Sequence, residues 1–323
     1  MPEAGADRQT EAPFSGHPGL GGLRLVFGGN VFGWTIDEDA SFAVLDAFYE
    51  AGGRMIDSAE GYSNWVPGNK GGESEAIIGA WLESRGVRED MRIATKVGQG
   101  GPPGALAPDA IAAALEGSLQ RLRTDYVDLY YAHRDDGTTP LDEVASGFDA
   151  LVQAGKVREL GASNYETARL AQALATARRL GARPFTVFQP LYNLVSRASY
   201  EGALQDLCLE QGLAVLPYYG LASGFLTGKY CQQEDWADST RAMALDQAAA
   251  NGGWNVLECL RSVAAVLDAT PAQVALAWLN CKPGVAAPIA SATTPEQVRE
   301  LVRIASIVLK KTIVEKLDAA LLR

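Results

Sequence analysis

Histidine and paired cysteine are nearly missing from this chain of 323 residues. It holds His17 and His133, and four cysteines, Cys208, Cys231, Cys259 and Cys281, that stand far apart with no C-x-x-C pair among them. That leaves no legible cluster of metal ligands, so no metal site is expected, and the thiols are expected to be reduced. Positive charge is also scarce: 28 lysines and arginines stand against 39 aspartates and glutamates, a formal net charge of −11, with no basic run long enough to reverse it locally. Nucleic acid and anionic membrane would be repelled, so neither is an expected partner. No apolar run reaches bilayer-spanning length, and Met1 to Gly16 are polar, without the basic-then-apolar order of a secretory leader. The expectation is a flexible tail over residues 1–22 and a soluble, cytoplasmic body over residues 23–323. A G-x-G-x-x-G turn after an early strand, the mark of an open doubly wound sheet, is missing too, because Gly28-Gly29-Asn30 does not supply it.

What is present is apolar sequence, 47% of residues, enough for a large core. It comes as short runs alternating with segments of helical spacing. The runs at 24–27, 55–57, 91–96, 126–133, 157–163, 185–189, 213–218 and 284–289 read as strands. Helical patterns separate them, with Asp37 capping the first, Pro108 opening the third, Asn164 starting the fifth and a terminal helix near 311–322. Crossovers of this length force parallel pairing, and eight β/α units close a circle. The expected fold is therefore α/β, a parallel (β/α)8 TIM barrel with an extra C-terminal helix, in which all strand C-termini face one mouth.

Four polar groups converge on that mouth. Asp57 closes the second strand, Tyr62 follows it in a loop, Lys96 closes the third strand and His133 the fourth. Each alone has a plainer reading: a strand-end cap, a loop tyrosine, a solvated lysine, a structural histidine, with Ser163-Asn164 as the N-cap of the next helix. Together, a carboxylate, a phenol, an amine and an imidazole at one barrel mouth form a catalytic pattern. Tyrosine titrates near about pH 10, and the Lys96 ammonium is expected to pull Tyr62 down until the phenol exchanges a proton near neutrality.

Six pieces occur in order: Ile56-Asp57-Ser58-Ala59-Glu60-Gly61-Tyr62 with Gly72-Glu73-Ser74-Glu75; Ala94-Thr95-Lys96; Tyr131-Ala132-His133-Arg134; Gly155-Lys156-Val157-Arg158 with Gly161-Ala162-Ser163-Asn164; Gln189-Pro190-Leu191-Tyr192-Asn193; and Leu221-Ala222-Ser223-Gly224-Phe225-Leu226-Thr227-Gly228-Lys229-Tyr230. With them the chain resembles an aldo-keto reductase from about Arg24 to its C-terminus, and its long loop after Tyr62 is similar to that of bacterial members. The resemblance implies an NADPH-dependent carbonyl reductase, with NADH as the alternative cofactor, in which Tyr62 protonates the developing alkoxide. Lys96, paired with Asp57, would tune Tyr62, and His133 would orient the carbonyl oxygen. By the same resemblance Ser163, Asn164 and Gln189 hold the nicotinamide carboxamide, Tyr218 stacks on its ring, Asp57 touches the ribose, and Leu221, Ser223 and Gly224 line the pyrophosphate. Tyr219-Gly220 replaces the Ser-Pro of relatives. At the adenine end, where relatives carry basic groups and an Asn, the matching positions hold Ser291, Thr293, Gln297 and Leu301. Arg299 and Arg303 lie on other helix faces, so only a modest NADPH preference is expected. Trp34, Trp65, Phe225 and Tyr192 are candidate walls for a small-molecule carbonyl substrate. Alternatives are a nucleotide-sugar ketoreductase of the same family, a barrel aldolase with Lys96 as Schiff base, and a non-enzymatic cofactor-sensing subunit. The sequence carries no signal for an oligomeric state.

Overall fold

Along each strand, side chains alternate between two apolar surroundings, as a closed sheet with helices outside requires. In β4 (Val127–Ala132), Leu129 and Tyr131 join an inner cluster with Val26, Met55, Ala94, Val187, Ala214, Leu216 and Ile289. Tyr130 and Ala132 point the other way, into the larger layer between strands and helices. The computed structural model describes residues 23–322, so the tail expected over residues 1–22 lies outside the described residues.

Eight strands, β1 (Val26–Gly28), β2 (Met55–Asp57), β3 (Arg92–Val97), β4, β5 (Val157–Ser163), β6 (Val187–Gln189), β7 (Ala214–Val215) and β8 (Ile289–Ala290), pair in parallel in the order β7-β6-β5-β4-β3-β2-β1-β8. The circle closes just before β8. Val215 bridges Val285 in parallel, its N–H donating to Gly284 O at 3.0 Å while Ala286 N–H donates to Val215 O at 2.9 Å. The chain thus forms a (β/α)8 barrel. The run expected as one strand over 284–289 is split because Pro288 has no N–H to give to a ladder; its carbonyl accepts from Val26 at 3.0 Å.

The outer layer comprises α1 (Glu38–Glu50), α2 (Glu73–Arg85), α3 (Pro108–Leu122), α4 (Leu141–Gln153), α5 (Thr167–Leu180), α6 (Ala203–Glu210), α7 (Ala242–Ala248), α8 (Trp254–Leu267), α9 (Pro271–Asn280) and α10 (Pro295–Val302), followed by the extra helix α11 (Lys311–Asp318). Asp37 caps α1, accepting from Ala40 N–H at 2.9 Å, and Pro108 stands at the start of α3. The long connection after β7 is anchored rather than loose: Phe225 lies 5.8 Å from Trp236 and 5.0 Å from Trp254, ring centre to ring centre. Among the described residues no single helix is long and apolar enough to cross a membrane.

The inward parity delivers the site. Continuing each inner row by two residues leads from Met55 to Asp57, from Ala94 to Lys96, from Tyr131 to His133, from Val187 to Gln189 and from Leu216 to Tyr218. Gly161, inward on β5, leaves space for a ring, since a Cβ there would stand 2.4 Å from Tyr131 Cδ1.

Candidate active site

Lys96 is fully buried, and its ammonium donates in three directions: to Asp57 Oδ2 at 2.5 Å, to the Ser58 carbonyl at 2.5 Å and to Tyr62 Oη at 2.9 Å. All three N–H bonds of the ammonium are used. The other Asp57 oxygen accepts from Gln189 Nε2 at 2.9 Å. Ser163 Oγ donates to the Gln189 carbonyl at 2.8 Å, and Asn164 Nδ2 donates to Ser163 Oγ at 3.0 Å and to the His133 carbonyl at 2.9 Å. Tyr218 Oη completes the chain by donating to Asn164 Oδ1 at 2.8 Å. One network of polar contacts therefore runs from Tyr62 to Tyr218 and crosses residues from β2, β3, β5, β6 and the segment after β7.

Asn164 does not start α5, which begins at Thr167 after Glu166. It is instead left-handed, with φ 53°, a conformation asparagine tolerates better than most residues. That turn frees its amide to join three strands. Phe225 and Tyr192 do not wall the mouth either, because both are fully buried on the helix side. Tyr192 packs at a tilt against Tyr200 and Trp278 and donates its hydroxyl hydrogen to Glu201 Oε1 at 2.7 Å. Trp34 and Trp65 do reach the mouth, 5.3 Å apart, and Trp65 lies 6.2 Å from Tyr62.

Burial sets the electrostatics. It pushes the Tyr62 phenol well above the ordinary tyrosine range, and the Asp57 charge adds to the effect. The direction is opposite to the depression expected from Lys96. Lys96 is itself lowered by burial, against the opposing charges of Asp57 and Glu75. His133 falls to about 3 through burial, then the charges of Lys96 and Arg134. At neutral pH the imidazole is therefore uncharged and the phenol holds its proton. Among the described residues His133 Nδ1 is buried without a hydrogen-bond partner.

The remaining predicted positions lie in the segments after β7 and β8. Leu221 is near right-handed (φ −103°, ψ 14°), while Ala222, Ser223 and Gly224 follow with φ of 48°, 58° and 96°. A right-handed residue followed by a left-handed one turns successive amides toward a common point and suits an anion. Lys229, which the sequence reading left without a role, supplies a cation there: its Nζ is 3.6 Å from where a Cβ on Gly224 would stand. The signal was its place at the end of the Thr227-Gly228-Lys229 piece. Ser291 Oγ lies 2.7 Å from both the Gly28 carbonyl and Asn30 Oδ1, and Gln297 Oε1 accepts from Thr293 N–H at 2.8 Å. Arg299 is held by Glu296 at 2.6 Å. An aromatic face at Tyr218, an amide cluster, a turn suited to pyrophosphate and a helix N-terminus at α10 make a donor set that fits a nicotinamide dinucleotide. Among the described residues no group of three or more His, Cys, Asp or Glu side chains is placed to hold a metal.

Residues 24–322 match the model of the aldo/keto reductase family. The chain is 33% identical over 316 residues to a probable voltage-gated potassium channel subunit beta of Oryza sativa, covering 94% of both chains. It is 32% identical over 318 residues to the uncharacterized oxidoreductase YrpG of Bacillus subtilis, covering 95% of both. Norsolorinic acid reductase B of Aspergillus parasiticus is 33% identical over 288 residues, which span 82% of this chain and 70% of that one.

Proposed function

The chain belongs to the aldo/keto reductase family, and from that premise we propose that it reduces an aldehyde or ketone to an alcohol, with NADPH as cofactor and Tyr62 as the proton donor. The observation that carries this reading is the placement of the buried Lys96 ammonium between Asp57 and Tyr62 Oη. When bound, the nicotinamide supplies the hydride. Tyr62 arrives loaded with its proton. As charge develops on the carbonyl oxygen the phenol releases it, and the ammonium already in contact balances the phenolate left behind. His133, being neutral, has one N–H to offer; it orients the oxygen without competing as an acid.

The other residues hold the cofactor. Ser163, Asn164 and Gln189 take the carboxamide, Tyr218 offers its ring face and Asp57 approaches the ribose. Leu221, Ser223 and Gly224 line the pyrophosphate with Lys229 as the fixed cation, and Ser291, Thr293 and Gln297 meet the adenosine end. An aldolase reading is disfavoured because Lys96 has no surface for a substrate carbonyl to reach, and its ion pair with Asp57 at 2.5 Å favours the ammonium, which has no lone pair with which to form a Schiff base.

The relative from Oryza sativa favours a second reading, a cofactor-binding subunit of a larger assembly. Incubating the protein with NADPH, then NADH, and a panel of aromatic and aliphatic aldehydes and ketones separates the two. Loss of reduced-cofactor absorbance that depends on the carbonyl supports the reductase. Tight cofactor binding with no turnover across the panel supports the subunit.

A further inference from the structure

A row of rings leads outward from Tyr62: its centre lies 6.2 Å from that of Trp65, and Trp65 lies 5.3 Å from Trp34. The row is held in place from behind. The turn carrying Trp34 is closed by a bridge between Phe32 and Ile36, and the loop after β2 pins it. The buried Ser63 donates its hydroxyl hydrogen to the Phe32 carbonyl at 2.8 Å, and Asn69 Nδ2 donates to the Gly33 carbonyl at 3.0 Å. Trp65 is 43% exposed and Trp34 is half-buried, so ring surface remains for a ligand.

At the outer end of the row stands a cation. Arg241 Cζ lies over the Trp34 ring, 4.9 Å from its centre. Arg241 belongs to the connection after β7 and stands at the head of α7. Its N–H donates to Ser239 Oγ at 3.2 Å, and its carbonyl accepts from Ala244 N–H at 3.0 Å and from Leu245 N–H at 3.1 Å. Leu245 is fully buried, so the backbone that carries the guanidinium is anchored. Among the described residues the guanidinium itself forms no hydrogen bond or ion pair, in a chain where acids outnumber bases 39 to 28. Stacking uses the face of the group, and its N–H donors lie in the plane, where they are free to meet an anion.

We propose that Arg241 seats a carboxylate at the far end of an elongated aryl aldehyde or ketone. The inference rests on the reductase reading of the same mouth. The carbonyl oxygen meets Tyr62, two aryl rings in line lie along Trp65 and Trp34, and the guanidinium takes the carboxylate through paired N–H···O bonds. Because both tryptophans stand between Tyr62 and Arg241, a substrate with a single ring falls short of the seat.

The test compares 4′-formylbiphenyl-4-carboxylate with its carboxamide, and the single-ring 4-formylbenzoate with 4-formylbenzamide. In the wild-type protein kcat/KM favours the biphenyl carboxylate by at least about tenfold, as a charge-assisted bond predicts, while the single-ring ratio stays near one. Arg241→Gln takes the biphenyl ratio toward one and leaves the dissociation constants of NADPH and NADH unchanged. A biphenyl ratio near one in wild type, a ratio that survives Arg241→Gln, or an equal preference in the single-ring pair overturns the proposal. A loss of cofactor affinity of about tenfold or more in Arg241→Gln assigns the guanidinium to the cofactor and overturns it as well. Calorimetric binding of biphenyl-4-carboxylate against biphenyl-4-carboxamide, in wild type and Arg241→Gln, reads the seat without turnover. Carboxylate selectivity that vanishes in Arg241→Gln, with no carbonyl reduced, sustains the seat and sinks the reductase reading instead. Equal binding of the two ligands by the wild type sinks the seat.

Discussion

Tyr62 and Lys96 share one hydrogen bond of 2.9 Å, and each is shifted by burial toward its uncharged form. On the proposed reading the phenol is a loaded acid rather than one already near ionisation. Spacing placed the cation beside the phenol but could not show how dry the contact is. His133 yields a pH prediction. Its folded pKa of about 3 lies below the ordinary value of 6.5, so the unfolded chain binds a proton that the folded chain refuses. The associated stability is complete above pH 6.5 and drains away as pH falls toward about 3. Thermal unfolding should therefore fall more steeply between pH 7 and roughly pH 4 in wild type than in His133→Gln. Parallel curves would show that His133 titrates normally.

At the scale of elements, the first turn of α2 is clamped to three strands. Ser74 Oγ donates to the Gly29 carbonyl at 2.8 Å and lies 2.9 Å from Ser58 Oγ, while the fully buried Glu75 accepts from Thr95 Oγ at 2.5 Å and from Arg121 Nε at 2.7 Å. This clamp sits behind Lys96 and under the loop that carries Tyr62. Arg121→Met leaves the Glu75 carboxylate buried without its cation. The expected loss in urea unfolding is about 3 kcal/mol, the low end for breaking a buried pair because Arg121 is 32% exposed. Arg123→Met, which breaks a pair with Glu83 exposed on both sides, should cost less than about 1 kcal/mol. Equal losses would remove the clamp from the account. Asp57 and Lys96 were legible as strand ends, whereas Gln189, Tyr218 and Asn164 entered the site through the family resemblance. The left-handed turn of Asn164 was not legible, since it answers to His133 and Tyr218, which lie far from it in sequence. Nor was the Glu75–Arg121 pair, whose partners belong to different helices. Phe225 looked like a loop residue because the aromatic cluster that buries it assembles only when the connection after β7 folds back.

For the whole molecule, the barrel gathers buried polar groups at the mouth, Asp57, Lys96 and Gln189 among them, while the segment after β8 offers mostly neutral donors. Ser291 is engaged by Gly28 and Asn30 at the end of β1, Gln297 by Thr293 of its own loop, and Arg299 is bound to Glu296. The expected preference for NADPH over NADH is thus about 5- to 30-fold, or roughly 1–2 kcal/mol. Lys229→Met should weaken both cofactors alike, as a pyrophosphate contact would. Titration against intrinsic tryptophan fluorescence checks both statements, and a preference of about a thousandfold or more would contradict the first. The central claim is that Tyr62 delivers the proton in a carbonyl reduction, and Tyr62→Phe tests it most directly because the ring is kept and only the hydroxyl goes. Turnover of an accepted aldehyde with NADPH should fall by roughly 10²-fold or more while the cofactor dissociation constant stays unchanged; a Phe variant that reduces the aldehyde at the wild-type rate would contradict the account.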